Sequence, residues 1–327
     1  MARSQDLEAP KSAILLGEKL VVFRTASGTP SVLSSRCPHR GANLSLGHVE
    51  GENIACPYHG WQWSSSDGRC AYIPAIGPRE VVPSKAAVTS YHCQELWGLV
   101  WCCLDEPAVG LPSLPELGEL DLTIVTPEPI PQLAGIGAAT ENFRDVAHFP
   151  FVHRRSMGDI PQIVKPTEVC REGMEVWTTR RFDAQGDTDT APGAPYWNDW
   201  SDEGAVEMRY HTIAPAFSAI VFEYERLGTR VLLNAPSPIG REECLIYYMV
   251  CNDADYKGPS VEDTAKLERQ LYLEDQVILD SLDPSEIPWQ GQVPESSVSA
   301  DRFTLAYRKA FLEFVYTANK IRDTAAV

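Results

Sequence analysis

Cys37-Pro38-His39-Arg40-Gly41, then Cys56-Pro57-Tyr58-His59-Gly60-Trp61, is the stretch that decides the fold, with sixteen residues between His39 and Cys56. Each piece carries one thiol and one imidazole. Two such mixed pairs on two loops can hold two metal atoms in one small centre. Two thiolates suit one iron of a 2Fe–2S cluster, and two imidazoles suit the other and raise its potential above that of an all-cysteine cluster. A proline after each cysteine and a glycine closing each piece let the loops turn tightly. Zinc sites of the same four residues usually pair Cys with Cys and His with His within each half. The mixed order argues for the asymmetric cluster.

Around this motif, residues 12–106 read as all-β. LVVF (20–23), AAVTSYHC (86–93) and GLVWCCL (98–104) are rich in strand formers and punctuated by Gly and Pro. The run 105–131 contains Pro107, Pro112, Pro115, Pro127, Pro129 and Pro131 and reads as a connector. Beyond it the pattern is mixed. A helix is expected over 138–148, strands over 172–183, 205–213, 216–224, 228–236 and 242–252, and helices over 262–282 and 302–321. A long loop is expected over 183–204. The expected organisation is a first domain over 1–112, a linker over 113–131 and a second domain over 132–327.

Composition narrows the function. The 327 residues suffice for two domains, and 44% hydrophobic with 22% charged residues is ordinary for a globular protein. A net charge of −17 excludes the basic footprint of a nucleic-acid binder. No apolar run spans a bilayer, and the first residues lack a signal-peptide pattern. The expectation is a cytoplasmic protein with no membrane or nucleic-acid partner. Nine cysteines, an odd number, fit reduced thiols. Cys102 and Cys103 read as core filler, while Cys70, Cys93, Cys170, Cys244 and Cys251 show no metal spacing.

A second metal site is suggested by Asn142-Phe143-Arg144-Asp145-Val146-Ala147-His148-Phe149-Pro150-Phe151-Val152-His153. On an unbroken helix His148 and His153 would point about 140° apart at ~100° per residue. Pro150 removes a backbone donor and lets His153 swing back toward His148. Asn142, Asp145 and His148 would lie on one helical side. Two histidines and a carboxylate with open positions form the facial triad of O2-activating Fe(II). The 262–282 helix offers candidate carboxylates, and its apolar face is read as Leu267, Leu271, Ile278 and Leu282. Asp280 points away from that face. Glu274 and Asp275 flank it at similar angles, and periodicity does not separate them.

The spacing C-x-H-x16-C-x2-H, in the forms CPHRG and CPYHGW, resembles the Rieske signature. The segment 142–153 resembles the N-x-x-D-x-x-H-x4-H motif of Rieske non-haem-iron oxygenases. With TSYHCQELWGLVWCCL (89–104), DVAHFPFVH (145–153) and ADRFTLAYRKAF (300–311), the resemblance covers most of the chain. It is nearest to the hydroxylases of saxitoxin biosynthesis and to the type that includes vanillate and dicamba O-demethylases and carnitine monooxygenase. Such relatives usually carry a further Trp-containing segment ahead of the stretch matching 12–24. The resemblance implies an α+β protein: an N-terminal all-β Rieske domain joined to a helix-grip catalytic domain with an antiparallel sheet and flanking helices. It implies cluster ligands Cys37, His39, Cys56 and His59. It selects Asp275, the Asp of an E-D pair, as the third ligand of the mononuclear Fe(II) beside His148 and His153. It further implies a homotrimer in which Asp145 bridges His59 of one chain to His148 of the next. Asn142 is expected as a weak contact beside the iron, and Arg40 and Trp61 as a border to the cluster.

The expected activity is monooxygenation of a small organic substrate, as C–H hydroxylation or N- or O-demethylation. O2 and electrons from NAD(P)H would arrive through a separate reductase or ferredoxin. A cis-dihydroxylating ring dioxygenase is one alternative, and a non-catalytic Rieske electron carrier another. The 142–153 segment speaks against the carrier, which has no use for it. Tyr196, Trp197 and Trp200 among Asp199, Asp202 and Glu203 suggest a loop able to receive a cationic substrate. His48, His92 and His211 show no metal spacing and are expected to be structural.

Overall fold

The computed structural model describes residues 1–77, 81–158, 162–182, 205–288 and 292–325; the loop expected over 183–204 lies outside the described residues. The chain divides into two units, Met1–Leu111 with Lys320–Val327, and Pro112–Asn319.

The first unit is built of strands. Among the described residues they are β1 (Ala2–Arg3), β2 (Lys11–Leu15), β3 (Glu18–Arg24), β4 (Pro30–Ser34), β5 (His48–Glu50), β6 (Asn53–Ala55), β7 (Gln62–Ser64), β8 (Cys70–Tyr72), β9 (Ser90–Leu96) and β10 (Leu99–Cys103). They form a six-stranded sheet ordered β1-β10-β9-β4-β3-β2 and a four-stranded sheet ordered β5-β6-β7-β8. Alternate side chains of a strand face opposite sides, and β3 buries both. Val21 and Phe23 join Leu33, Ile54 and Trp63 in one core with Cys37 and Cys56. Leu20 and Val22 join Leu15, Val32 and Val100 in another, with Cys102 packed against it. The two cysteines of the motif lie in turns whose side chains are packed into the first of these cores.

The second unit is a sheet with helices. Its strands are β11 (Leu122–Val125), β12 (Ile130–Gln132), β13 (Cys170–Glu172), β14 (Glu175–Phe182), β15 (Val206–Ile213), β16 (Phe217–Tyr224), β17 (Gly228–Pro238) and β18 (Cys244–Asp253). The order is β11-β18-β17-β16-β15-β14-β13, with β12 also on β18 and every pair antiparallel. Part of the expected connector is therefore sheet: both β11 and β12 pair with β18, and the prolines there lie at strand ends or on the short β12, where a missing N–H is tolerated.

The helices are α1 (Ile136–Arg144), the short α2 (Phe149–Val152) and α3 (Arg154–Met157), α4 (Val261–Leu279) and α5 (Arg302–Ala325). None is long and apolar enough to cross a membrane among the described residues. The helix expected over 138–148 stops at Arg144, and Asp145 turns to an extended backbone. The break falls there rather than at Pro150, which instead occupies the first turn of α2, where its missing N–H costs nothing. Asn142, Asp145 and His148 therefore do not share a helical side.

α4 also differs from expectation. Its buried side is Val261, Thr264, Ala265, Glu268, Tyr272, Asp275 and Leu279. Ile278 and Leu282, expected on the apolar face, are 46% and 40% exposed. Val261 and Ala265 pack on Phe222, Leu232 and Val250 of the sheet, and Tyr272 packs on Ile246 and Tyr248. Ser260 caps the helix by accepting the Asp263 N–H at 3.1 Å, a contact worth about 1 kcal/mol. At the other end Asp280 Oδ1 accepts the Leu133 N–H (2.8 Å) and Gln132 Nε2–H (3.1 Å), tying α4 to the end of β12.

α1 is pinned from two sides. The Glu286 carboxylate accepts the N–H groups of Gly137 and Ala138, both at 3.2 Å, in place of a local cap. Arg308 of α5 grips Glu141 through Nε (2.6 Å) and Nη2 (2.9 Å) and also pairs with Glu295. Arg144 lies over the rings of Phe303 and Tyr307.

Replacing Asp280 removes a charged acceptor from two donors, one of them on buried Gln132. Asp280→Ala is expected to lower stability by about 1–2 kcal/mol, read as a fall of several degrees in the thermal midpoint, with metal content unchanged. A parental thermal midpoint in Asp280→Ala would mean that this carboxylate does not serve the fold.

Candidate functional site

The two cluster loops are closed in the same way. Cys37 N–H donates to Ala42 O (2.9 Å) and Gly41 N–H to Cys37 O (2.8 Å); Cys56 N–H donates to Trp61 O (2.8 Å) and Gly60 N–H to Cys56 O (3.0 Å). That turn needs a left-handed residue at its end, and Gly41 (φ 78°) and Gly60 (φ 69°) supply it. The turns bring the rings of His39 and His59 to 4.6 Å and stack His39 on Trp61 at 4.4 Å. Arg40 is exposed beside them. Cys37 and Cys56 are buried, while His59 and Tyr58 face solvent.

These residues fit a cluster. Burial pushes the Cys37 thiol up to about 11, with the Cys56 thiol adding to the shift, so a cationic metal is what makes the thiolate accessible. Desolvation, then the charges of His59 and Arg40, hold the His39 imidazole below its ordinary value, in the neutral form that ligates. The buried His39 Nδ1 has no hydrogen-bond partner, and the buried Trp63 indole N–H faces the Cys37 thiol, opposing the effect of burial on it. A metal suits the first and a sulfur acceptor the second.

The second constellation is assembled from α4 and from the chain between α1 and α3. His148 immediately precedes α2 and His153 joins α2 to α3, so two short turns bring the rings to 5.0 Å. The Nε2 atoms of the two rings are 3.2 Å apart, and Asp275 Oδ1 lies 3.3 Å from His148 Nε2 and 3.2 Å from His153 Nε2. Oδ1 is buried and has only the two imidazoles facing it. Three metal–ligand bonds of about 2.0–2.2 Å on one octahedral face put their donor atoms about 3 Å apart. The three side chains form the metal-binding group found among the described residues.

The far nitrogen of each ring is held by a further carboxylate. His148 Nδ1 is 3.2 Å from Asp145 Oδ2, and Asp145 Oδ1 accepts the Ala147 N–H at 2.9 Å. His153 Nδ1 is 3.0 Å from Glu274 Oε2. Partners of this kind fix the tautomer and leave Nε2 bare for a metal. Burial lowers the affinity of His148 for a proton, but Asp145 and Asp275 outweigh it and raise the group from 6.5 to about 9. Burial pushes Asp275 up, yet both imidazoles overcome it and hold the carboxyl below its ordinary value. Asp145 and Glu274 are lowered in the same manner, against burial, by His148 and Ala147 for the first and by Ser156, His153 and Gln270 for the second.

Of the three acids left open on α4, Asp275 meets both Nε2 atoms, Glu274 meets a far nitrogen, and Asp280 belongs to the fold. Among the described residues no side-chain hydrogen bond links Asn142 to the triad; its carbonyl accepts the Asp145 N–H at 3.1 Å. His48, His92 and His211 pair with Glu50, Glu106 and Glu175, away from both constellations. Sequence reasoning missed the contact of Ser156 with Glu274 and the Trp63 N–H that faces the Cys37 thiol. The one signal for Ser156 was its position three residues after His153.

Residues 1–92 match the model of the Rieske [2Fe-2S] domain, and residues 134–315 match that of the vanillate O-demethylase oxygenase C-terminal domain. The chain belongs to the Rieske non-haem-iron oxygenases. This Rieske oxygenase is an O2-dependent monooxygenase whose cofactors are a 2Fe–2S cluster and a mononuclear iron. It is 29% identical over 307 residues to methylxanthine N1-demethylase NdmA of Pseudomonas putida, covering 92% of this chain and 81% of that one. It is 26% identical over 321 residues to methylxanthine N3-demethylase NdmB of the same organism, covering 96% and 85%. The structure of NdmA with caffeine superposes with a TM-score of 0.77 at 26% identity, covering 94% of this chain and 87% of that one. Apo dicamba monooxygenase shares the fold, with a TM-score of 0.74 at 16% identity over 100% and 97% of the two chains.

The elevated His148 pKa makes metal binding in this Rieske oxygenase pH-dependent. A metal bound at this group would take the neutral imidazole and displace the proton that Asp145 and Asp275 favour on His148, whose pKa they raise to about 9. Apparent Fe(II) affinity of the metal-free protein is therefore expected to fall by about tenfold per unit as pH drops from 8.5 to 6.5, with about one proton released per metal. Calorimetry in buffers of different ionisation enthalpy reads both. An affinity flat across this range would contradict a protonated His148.

Proposed function

We propose that this chain is the terminal oxygenase of a Rieske system that demethylates or hydroxylates a small organic substrate. Electrons come from NAD(P)H through a separate reductase or ferredoxin. In this reading Cys37, His39, Cys56 and His59 hold the cluster, and His148, His153 and Asp275 hold Fe(II). The observation that carries it is the triangle of two Nε2 atoms and Asp275 Oδ1, with sides of 3.2–3.3 Å. Three donors on one side of an ion leave the other side open. When bound, the iron supplies O2 activation and the cluster supplies electrons.

The chain's own residues do the rest. In the neutral ring Asp145 holds the His148 proton on Nδ1, which would leave Nε2 to donate to a metal. The Asp145 side chain is 39% exposed, and its carboxylate has capacity for a second imidazole N–H. We assign that place to His59 of the partner subunit in a homotrimer. The adjacent acids of α4 divide the work, Asp275 facing the metal side of His153 and Glu274 its far side. N-demethylation is favoured because the relatives NdmA and NdmB are named methylxanthine N-demethylases. In that reaction the N-methyl group, one O2, two electrons and two protons give an N-hydroxymethyl group and one water. The N-hydroxymethyl product then releases formaldehyde, and the nitrogen keeps a hydrogen in place of the methyl group. A cytoplasmic location completes the reading.

The test is a panel of N-methyl and O-methyl compounds, the methylxanthines included, turned over with NADH and a surrogate reductase. One formaldehyde per demethylated product and per NADH is expected. Cis-diol products without formaldehyde would replace this reading with ring dihydroxylation, and cluster reduction with no O2 uptake on any substrate would replace it with electron carriage. In the same assay Asp145→Asn is expected to load both metals and accept electrons at the cluster, yet lose product formation by orders of magnitude. Full activity in that variant would remove Asp145 from the route.

A further inference from the structure

The two imidazoles of the triad are not held alike. Behind His148 stands Asp145, 39% exposed at the side chain; behind His153 stands Glu274, 15% exposed. Both Glu274 oxygens are engaged. Oε1 accepts Ser156 Oγ–H at 2.5 Å and Gln270 Nε2–H at 3.1 Å, which leaves Oε2 to the His153 Nδ1 at 3.0 Å. The donors come from two elements, Ser156 from α3 and Gln270 from one turn earlier in α4. A carboxylate held at one oxygen by two donors cannot rotate away from the imidazole at the other.

The sequence register adds a constraint. Glu274 and Asp275 are neighbours on α4, and they meet opposite nitrogens of one ring: Glu274 at Nδ1, Asp275 at Nε2. His153 is itself 3% exposed at the side chain and starts α3, accepting the Ser156 N–H at its carbonyl (3.0 Å). One side chain therefore sets the ring's tautomer and plane and sets the register of α4 against α3.

We propose that Glu274 is a positioning residue for the mononuclear iron: clamped by Ser156 and Gln270, it holds the Nδ1–H of His153 so that Nε2 is presented as a fixed, electron-rich donor. The assignment rests on reading His153 and Asp275 as iron ligands. It assigns Glu274 a part that a surface acid or a second metal ligand would not play, since its nearest approach to the ring is at the nitrogen away from Asp275. Acceptors behind a ligating histidine commonly contribute 10–100-fold in metal affinity.

The experiment compares the parent holoprotein with Glu274→Ala, Glu274→Gln, Ser156→Ala and Asp275→Ala. Fe(II) affinity is read by chelator competition. The shape of the EPR signal of the ferrous site probed with nitric oxide reads the ligand geometry, since the oxidised cluster is diamagnetic and does not overlap it. A parental far-UV circular dichroism spectrum and thermal midpoint certify a folded chain, the second unit included. Glu274→Ala is expected to weaken Fe(II) binding by about 10–100-fold and to broaden the signal as the ring loses its fixed plane. Glu274→Gln keeps an acceptor oxygen without the charge, so it should retain the parental line shape and lose less affinity. Ser156→Ala should fall between parent and Glu274→Ala. Parental affinity and line shape in Glu274→Ala, with iron lost in Asp275→Ala, would overturn the proposal alone. Parental iron affinity in Asp275→Ala would overturn the metal-site reading beneath it.

Discussion

The catalytic unit depends on one electrostatic constraint: the buried Asp275 carboxylate and two imidazole Nε2 atoms are held at 3.2–3.3 Å from one another, with Oδ1 facing both rings. A buried carboxylate is costly without positive charge beside it, and either imidazolium or a metal cation at the shared position supplies that charge. Much of the second unit serves to keep the three atoms there. Glu286 and Arg308 fix α1 and so the place where the chain breaks at Asp145. Asp280 fixes the end of α4, and Asp145 and Glu274 fix the two rings from behind.

The cluster unit solves a different problem. The four residues proposed to hold the cluster lie on two copies of one turn, so the geometry is local and needs little from elsewhere. What the double-sided sheet adds is rigidity and dryness. Cys37 and Cys56 share a core with Trp63, Ile54 and Phe23, while His39 and His59 sit at the edge. A thiolate pair in the core and an imidazole pair at the rim give a centre whose buried side is protected and whose exposed side can pass electrons.

The same contrast explains what could be read from the sequence. The cluster loops were legible because spacing, proline and glycine all act within a few residues. The strands of the large sheet were legible to within a few residues because each buries alternate or continuous apolar side chains. Residues 122–125 and 130–132 were not, since proline density suggested a connector while pairing to β18 decided otherwise. α4 misled for a physical reason. Its outward side carries Ile278 and Leu282, whereas its inward side carries Thr264, Glu268 and Asp275 among Tyr272 and Leu279. A helix that lines a polar site inverts the hydrophobic pattern, so periodicity could not separate Glu274 from Asp275. Resemblance to a family named Asp275; the geometry adds that its carboxylate is the one that meets both rings. The break at Asp145 was also hidden, because Pro150 was the visible helix breaker and the anchoring by Glu286 and Arg308 comes from far along the chain.

Iron counting by Mössbauer spectroscopy tests the central claim most directly, because it distinguishes the two centres within one sample of 57Fe-loaded protein. The account predicts three irons per chain: a coupled pair with unequal sites, one ligated by sulfur and one also by nitrogen, and a separate high-spin ferrous site. Cys37→Ala should remove the pair and leave the ferrous site. A single symmetric centre, or a coupled pair that survives Cys37→Ala, would contradict it.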